Sequence, residues 1–329
     1  MQVTILGGSG FLGRKLAAQL AREGALGGQT VGALTLFDLQ EPAPPAGAPF
    51  PVRCLAGDVA DPAALAAAIP PGTGAVFHLA AVVSAAAEAD YDLGMRVNLD
   101  GTRAVVASCR ALARAPRVVF ASSVASFSGD QRAVVADDAR QLPGNSYGTQ
   151  KAAAELILAD ASRRGMLDAV SIRLPTVTVR PGRPNRAASS FLSAILREPL
   201  LGLPTTLPVA EDFVAWVCSP RRAVDWLLHA AALDGALLGA DRGINPPGLS
   251  VGVADMLAAL DAVGGAGARA LVRAEPDPEV AAIVGTWPAR FAADRARRLG
   301  FAEQDGIADI LRAFVADDLD DTRRDRAAN

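Results

Sequence analysis

Tyr147 and Lys151 stand four residues apart in a chain with only two tyrosines and two lysines, every other strong base being arginine. Positions four apart share a helix face, so a phenol and an ammonium placed there point into one space. A phenol ionises near ~10 in water, and a neighbouring cation moves it toward a value useful for proton transfer near neutrality. The pair reads as an acid/base and its tuner. One exposed helical tyrosine beside one solvated lysine has the same spelling, so the pair needs context.

That context begins at the N-terminus. Val3-Thr4-Ile5-Leu6 has the character of a buried strand running into Gly7-Gly8-Ser9-Gly10-Phe11-Leu12-Gly13, and residues 12–20 continue with helical apolar spacing. Glycines at 7, 10 and 13 permit a tight turn, close approach of a pyrophosphate to the backbone, and close helix–strand packing, with the phosphates at the helix N-terminus. A second strand, 34–37, ends at Asp38, whose carboxylate would accept both ribose hydroxyls and repel a 2′-phosphate. The expected cofactor is NAD rather than NADP.

Positioning these groups requires alternating strands and helices. Further strands are expected at 52–55, 75–79, 117–122 and 169–174, with helices at 61–69, 90–113 and 146–164. This alternation builds an α/β fold, a Rossmann doubly wound parallel sheet whose ligands lie beyond the carboxyl ends of the strands. Suggestive residues cluster at those ends. Asp58, in Gly57-Asp58-Val59, is placed either to accept from an adenine amine or to cap the next helix. His78-Leu79-Ala80-Ala81 ends the fourth strand with small residues, and alternation puts His78 inside as a structural histidine. Asn98 is unusual for a packed helix face unless it holds a water or a carbonyl. Ser122 or Ser123, ending the fifth strand, can exchange hydrogen bonds with a substrate hydroxyl beside Tyr147.

The composition suits a two-lobed enzyme: 329 residues, 51% hydrophobic, net charge −3. Residues 1–174 are expected to form the dinucleotide-binding domain, with later segments returning to it, and residues 175–329 mainly the substrate lobe. There is no basic stripe for nucleic acid or an anionic membrane surface, and no apolar run long enough to span a bilayer. Cys54, Cys109 and Cys218 are odd in number and widely spaced, framing neither a disulfide set nor a metal site, as expected of a cytoplasmic protein.

Together these motifs resemble the extended short-chain dehydrogenases/reductases of the NAD-dependent epimerase/dehydratase group, across essentially the whole chain. Two positions depart from the usual pattern: Leu6 replaces a threonine before the first glycine, and Phe127 replaces a tyrosine after the serine strand. The resemblance implies that Tyr147 is the acid/base, that Lys151 lowers its pKa and holds the nicotinamide ribose, and that Ser123 orients the reacting hydroxyl. Asn98 would position its helix and a relay water. NAD contacts would extend over Gly7, Gly10, Phe11, Leu12, Gly13, Asp38, Asp58, Val59, Leu79, Ala80, Ala81, Asn98, Tyr147, Lys151, Pro175 and Thr176.

The second half bears on the substrate. Residues 179–191 are punctuated by proline and glycine and should leave the sheet. They carry Arg180, Arg183 and Arg186, any of which has the fork to hold an anion. The spelling here, with Pro181-Gly182-Arg183-Pro184-Asn185 and the later Trp216-Val217-Cys218-Ser219-Pro220-Arg221-Arg222-Ala223, resembles family members that act on small sugar acids. That implies oxidation of the C2 hydroxyl of a four-carbon acid by a homodimer, with Arg183 on the carboxylate and Ser84 and Thr176 as lesser contacts beside Ser123 and Tyr147. A nucleotide-sugar epimerase or dehydratase would share the cofactor motifs; a non-catalytic NAD sensor typically lacks the Tyr/Lys pair. Residues 248–264 read as an amphipathic helix, Trp287-Pro288 as a turn, and the charge run at 317–326 as a solvated helix end or frayed tail.

Overall fold

The computed structural model describes residues 1–129, 133–182, 188–265 and 267–327. Near-continuous apolar runs make strands that can be buried on both faces, and six of them carry the main sheet: β1 (Gln2–Leu6), β2 (Ala33–Asp38), β3 (Val52–Ala56), β4 (Thr73–His78), β5 (Arg117–Ser123) and β6 (Asp168–Leu174). With the short strand Gly243–Ile244 beyond β6, the order across the sheet is Gly243–Ile244, β6, β5, β4, β1, β2, β3, and every pairing is parallel. The chain runs from β1 outward to β2 and β3, then returns to β4 on the other side of β1. Such a reversal opens a crevice at the carboxyl ends of the strands flanking it.

Alternation sorts the side chains onto two faces. Val3 and Ile5 of β1 pack with Leu16, Leu20, Phe77, Val119 and Trp226, whereas Leu6 packs on the opposite face with Phe37, Val76, Phe120 and Leu158. Helices α1 (Phe11–Glu23), α2 (Pro62–Ala68), α3 (Gly101–Arg110) and α4 (Ser146–Arg163) cover these faces. A further apolar core, with Leu192, Ile195 and Leu196 from α5 (Phe191–Leu200), gathers Val217, Met256, Leu257, Leu260 and Phe314. A three-stranded sheet of Thr176–Val177, Val214–Cys218 and Leu249–Gly252 leads into it.

Three sequence expectations are corrected. Residues 249–252, expected to begin a helix, are a strand, and the helix starts at Val253. The continuous helix expected over 90–113 is instead Tyr91–Gly94, a π-helical stretch Met95–Asp100, and then α3. The wider turn accommodates Asn98, which is 2% exposed and turned inward. Its Oδ1 accepts from Val82 N at 2.9 Å, and its Nδ2 donates to Val82 O at 3.0 Å and Gln150 Oε1 at 2.7 Å. The charge run near the C-terminus is likewise not simply solvated. It forms α6 (Leu319–Ala327), with Leu319 and Thr322 buried. Partners on both lobes outcompete water: Lys15 pairs with Asp318 at 2.7 Å, Arg221 Nε donates to Asp317 at 2.6 Å, and Arg326 donates to buried Glu198 at 2.8 and 2.9 Å.

Candidate active site

Tyr147 reaches Ser123 because α4 can approach β5 unusually closely. Asn145 caps the helix by accepting from Gly148 N at 2.8 Å, and a Cβ at Gly148 would run into the Ala125 carbonyl oxygen. Without one, the first turn of α4 lies against the turn Val124–Phe127 that follows β5. Ser123 then lies beside the Tyr147 phenol, where its hydroxyl favours the ionised form. Strand alternation separates the two serines. Ser122 is buried and donates to the Glu155 carboxylate, which also receives Gln141 Nε2 at 3.0 Å and Arg173 Nε at 3.0 Å. Lys151 is 2% exposed. Its Nζ donates to Ala121 O at 2.8 Å and lies 4.4 Å from the Phe120 ring centroid and 5.6 Å from that of Tyr147.

The electrostatics differ from the simple tuning pair expected. As a residue Tyr147 is partly exposed through the cavity, but its hydroxyl is surrounded by protein, and burial pushes its pKa up to about 12. The Ser123 hydroxyl and the positive charge of Arg180 act in the opposite direction. Lys151 is itself lowered to about 7 by burial, against the pull of Glu155. Burial thus disfavours the ammonium's charge, and the Arg180 guanidinium is a further cation acting on the phenol. His78 is fully buried, its pKa lowered to about 3 by burial, with Nε2 3.1 Å from Thr102 Oγ1, as suits a structural histidine.

The glycine loop is shaped for close backbone approach. Gly7 adopts φ 93°, and a Cβ there would fall 2.8 Å from Ala80 N; at Gly13 it would collide with the Gly7 carbonyl. Gly10 occupies the N-cap of α1 with no side-chain cap, so nothing covers the helix N-terminus. Asp38 stands beside the loop, Oδ2 accepting from Ser9 N at 2.9 Å and Oδ1 from Leu39 N at 2.7 Å. A cradle that a Cβ would fill, a bare helix N-terminus and an adjacent carboxylate fit a dinucleotide. A cavity of about 240 Å³ continues from Phe11, Leu12, Leu79 and Ala81 to Ser84, Ser123, Tyr147, Lys151, Pro175 and Thr176.

Of the expected contacts that do not line that cavity, three have partners within the protein. Asp58 neither caps α2, which Asp61 does, nor offers a free carboxylate: it accepts from Ala60 N at 2.9 Å and pairs with Arg96. Val59 is in the core against Gly101. Asn98 commits both amide hydrogens to Val82 O and Gln150 Oε1 and accepts from Val82 N, so it ties the chain beyond β4 to its own helix and to α4.

At the substrate end, Arg183 and Arg186 lie outside the described residues. Arg180 faces the cavity, as do Ser189 and Trp287. Trp287 was legible only as a turn marker, and Gly148 not at all, because no local pattern links either to Tyr147. The two departures from the family pattern are packing positions: Leu6 is fully buried, and Phe127 stacks 5.2 Å beneath the Arg173 guanidinium and edge-on to Phe291. Cys109 and Cys218 are buried free thiols raised by burial, Cys109 to about 12; Cys54 is free and half-exposed.

A sequence model of the NAD-dependent epimerase/dehydratase family matches residues 3–214. The chain belongs to that family, and its cofactor is NAD. Among characterised relatives, it is 50% identical to the D-erythronate dehydrogenase of Cupriavidus necator over 96% of this chain and 98% of that protein. It is 39% identical to the D-erythronate dehydrogenase of Haemophilus influenzae over 97% and 100%. Of solved structures, a nucleoside-diphosphate-sugar epimerase from Agrobacterium tumefaciens superposes with TM-score 0.92 at 43% identity, covering 97% of this chain and 95% of that one. No helix among the described residues is long and apolar enough to cross a membrane.

Proposed function

We propose that this protein oxidises the C2 hydroxyl of D-erythronate, a four-carbon sugar acid, to the 2-keto acid with NAD. The observation that carries the reading is one cavity lined together by Ser123, Tyr147, Lys151 and Arg180. The two dehydrogenases of that name, matching over nearly the full length of the chain, support the choice of substrate. Bound NAD supplies the hydride acceptor. Ser123 orients the C2 hydroxyl, and its proton passes to the Tyr147 oxygen as the carbon gives up its hydride. Lys151, held by the Ala121 carbonyl, is within reach of both the phenol ring and the ribose side of the cavity. Gly7, Gly10 and Gly13 would hold the pyrophosphate and Asp38 the adenosine ribose.

The name of the epimerase structure keeps a nucleotide sugar as the second reading. The two D-erythronate dehydrogenases, matching at 50% and 39% identity over nearly the full chain, favour the small acid. Purified protein should reduce NAD with D-erythronate and neither oxidise nor epimerise UDP-glucose. Robust turnover of the UDP-sugar would reverse the choice.

A further inference from the structure

Arg180 is an enclosed cation held rigidly at the edge of the cavity. Its Nε donates to Val177 O at 3.1 Å, its Nη2 to Ser189 Oγ at 2.8 Å, and its backbone N to Ser193 Oγ at 3.1 Å. Its own carbonyl accepts from Arg197 Nη1 at 2.7 Å. Among the described residues no carboxylate lies within ion-pair distance of this guanidinium, although Arg173 and Arg197, which are more deeply buried, each have a glutamate. Burial disfavours its charge, and Arg197 adds like-charge repulsion. A guanidinium nonetheless stays protonated at neutral pH, and a buried charge without a counter-ion is costly unless a ligand supplies one. Across the same cavity, the Trp287 indole Nε1 is buried and has no hydrogen-bond partner. A cation without a carboxylate partner thus lines the same cavity as a tryptophan whose N–H is unpaired.

Resting on the dehydrogenase reading above, we infer that Arg180 is the residue that selects the substrate by its carboxylate, with the Trp287 N–H as a second donor, and that it also stabilises the Tyr147 phenolate. The two roles are coupled, because substrate carboxylate and phenolate draw on one guanidinium. Arg180 therefore sets both which alcohols are accepted and the pH at which they react. Trp287 reaches the site from a turn more than a hundred residues later, so the acid is read jointly by two segments of the substrate end.

The test compares Arg180→Gln, Arg180→Lys and Arg183→Gln by steady-state kinetics with D-erythronate and with its uncharged amide, and by NADH fluorescence titration. Arg180→Gln should raise KM for the acid roughly 10- to 100-fold, the worth of a charge-assisted hydrogen bond, with NADH affinity unchanged. Its preference for acid over amide should collapse, and its pH–rate profile should move alkaline because the phenolate has lost its cation. Arg180→Lys should restore part of both, and Arg183→Gln should leave both in place. Arg180→Gln with unchanged KM and pH profile, or the same losses in Arg183→Gln alone, overturns the assignment. If the unaltered protein ignores D-erythronate, the functional reading fails. Arg180 is then judged on the alcohol that is oxidised: an uncharged one overturns the inference, and another acid with the same Arg180 dependence supports it.

Discussion

At the cofactor end of the cleft the chain presents backbone, and at the substrate end it presents side chains. Gly7, Gly10 and Gly13 act by lacking a Cβ, and they do so within seven consecutive residues at one strand–helix junction. Ser84, Arg180, Ser189 and Trp287 offer polar atoms and line one cavity from three distant stretches: a helix start, the segment 180–189 and a later turn. A site made of backbone depends on local conformation, so it can be spelled by a short contiguous motif. A site made of distant side chains depends on how one lobe packs on the other. The catalytic pair lies at the join, where α4 meets the end of β5.

The largest effect should come from that join. Tyr147→Phe removes the proton acceptor and leaves the ring in place, so turnover should fall by roughly 10² to 10⁴, the usual range for a general acid/base. NADH affinity, followed by fluorescence, should stay close to that of the unaltered protein, since the glycine cradle is untouched. A variant retaining most of its activity would remove Tyr147 from proton transfer.

Next in size is Gly148→Ala. The added Cβ meets the Ala125 carbonyl oxygen, which belongs to the backbone and cannot swing aside. The helix must back away, separating the Tyr147 phenol from Ser123, and displacements of ~1 Å can cost about 10²-fold in turnover. Activity per folded molecule, measured alongside thermal unfolding, distinguishes this from simple loss of protein. Full activity would show that the close approach of α4 is dispensable.

Which parts were legible follows from the same contrast. Strands β1 to β6 could be read because long apolar runs punctuated by glycine and proline have few other uses, and observed ends differ from the expected ones by about two residues at most. The three glycines, Asp38, Ser123, Tyr147 and Lys151 were legible because their spacing encodes a local geometry. Asn98 was visible as an odd residue, yet the π-helical turn it occupies was not, since nothing in the spacing of 90–113 shows that Val82 and Gln150 will compete for its amide. The electrostatics were legible only in part for a similar reason. Sequence places Lys151 on the face of Tyr147, but only the fold shows that the ammonium is desolvated and that Arg180 arrives from another lobe.

A smaller effect is expected at Asp38. With Ala80 and the glycine cradle intact, Asp38→Ala should bind NAD more weakly and admit NADP more readily, narrowing the ratio of kcat/KM values by on the order of tenfold, about one charge-assisted hydrogen bond. Because the carboxylate also accepts from Ser9 N at 2.9 Å, the variant should loosen the loop slightly for both cofactors. An unchanged ratio would mean that the ribose is read elsewhere and that even this end of the cleft relies on side chains from other segments.

The smallest effect tests how far the substrate end depends on remote packing. Arg326, on the C-terminal helix α6, donates to both oxygens of Glu198 and at 3.3 Å to the Gly182 carbonyl, two residues beyond Arg180. Glu198 is 4% exposed and also pairs with Arg197, which in turn holds the Arg180 carbonyl at 2.7 Å. Removing Arg326 leaves a buried carboxylate with one cation instead of two and frees one anchor of the loop that carries Arg180. Arg326→Ala should therefore lower the unfolding temperature and raise KM for the acid by roughly two- to fivefold, up to about 1 kcal/mol, while NADH affinity and the kcat of saturated enzyme change little. The split between KM and NADH affinity is the informative readout, because general destabilisation would not single out the acid. A lowered unfolding temperature with unaltered KM would confine the Arg326–Glu198–Arg197 chain to holding the lobe together, and would leave the Ser189 and Ser193 hydroxyls as the contacts that fix Arg180.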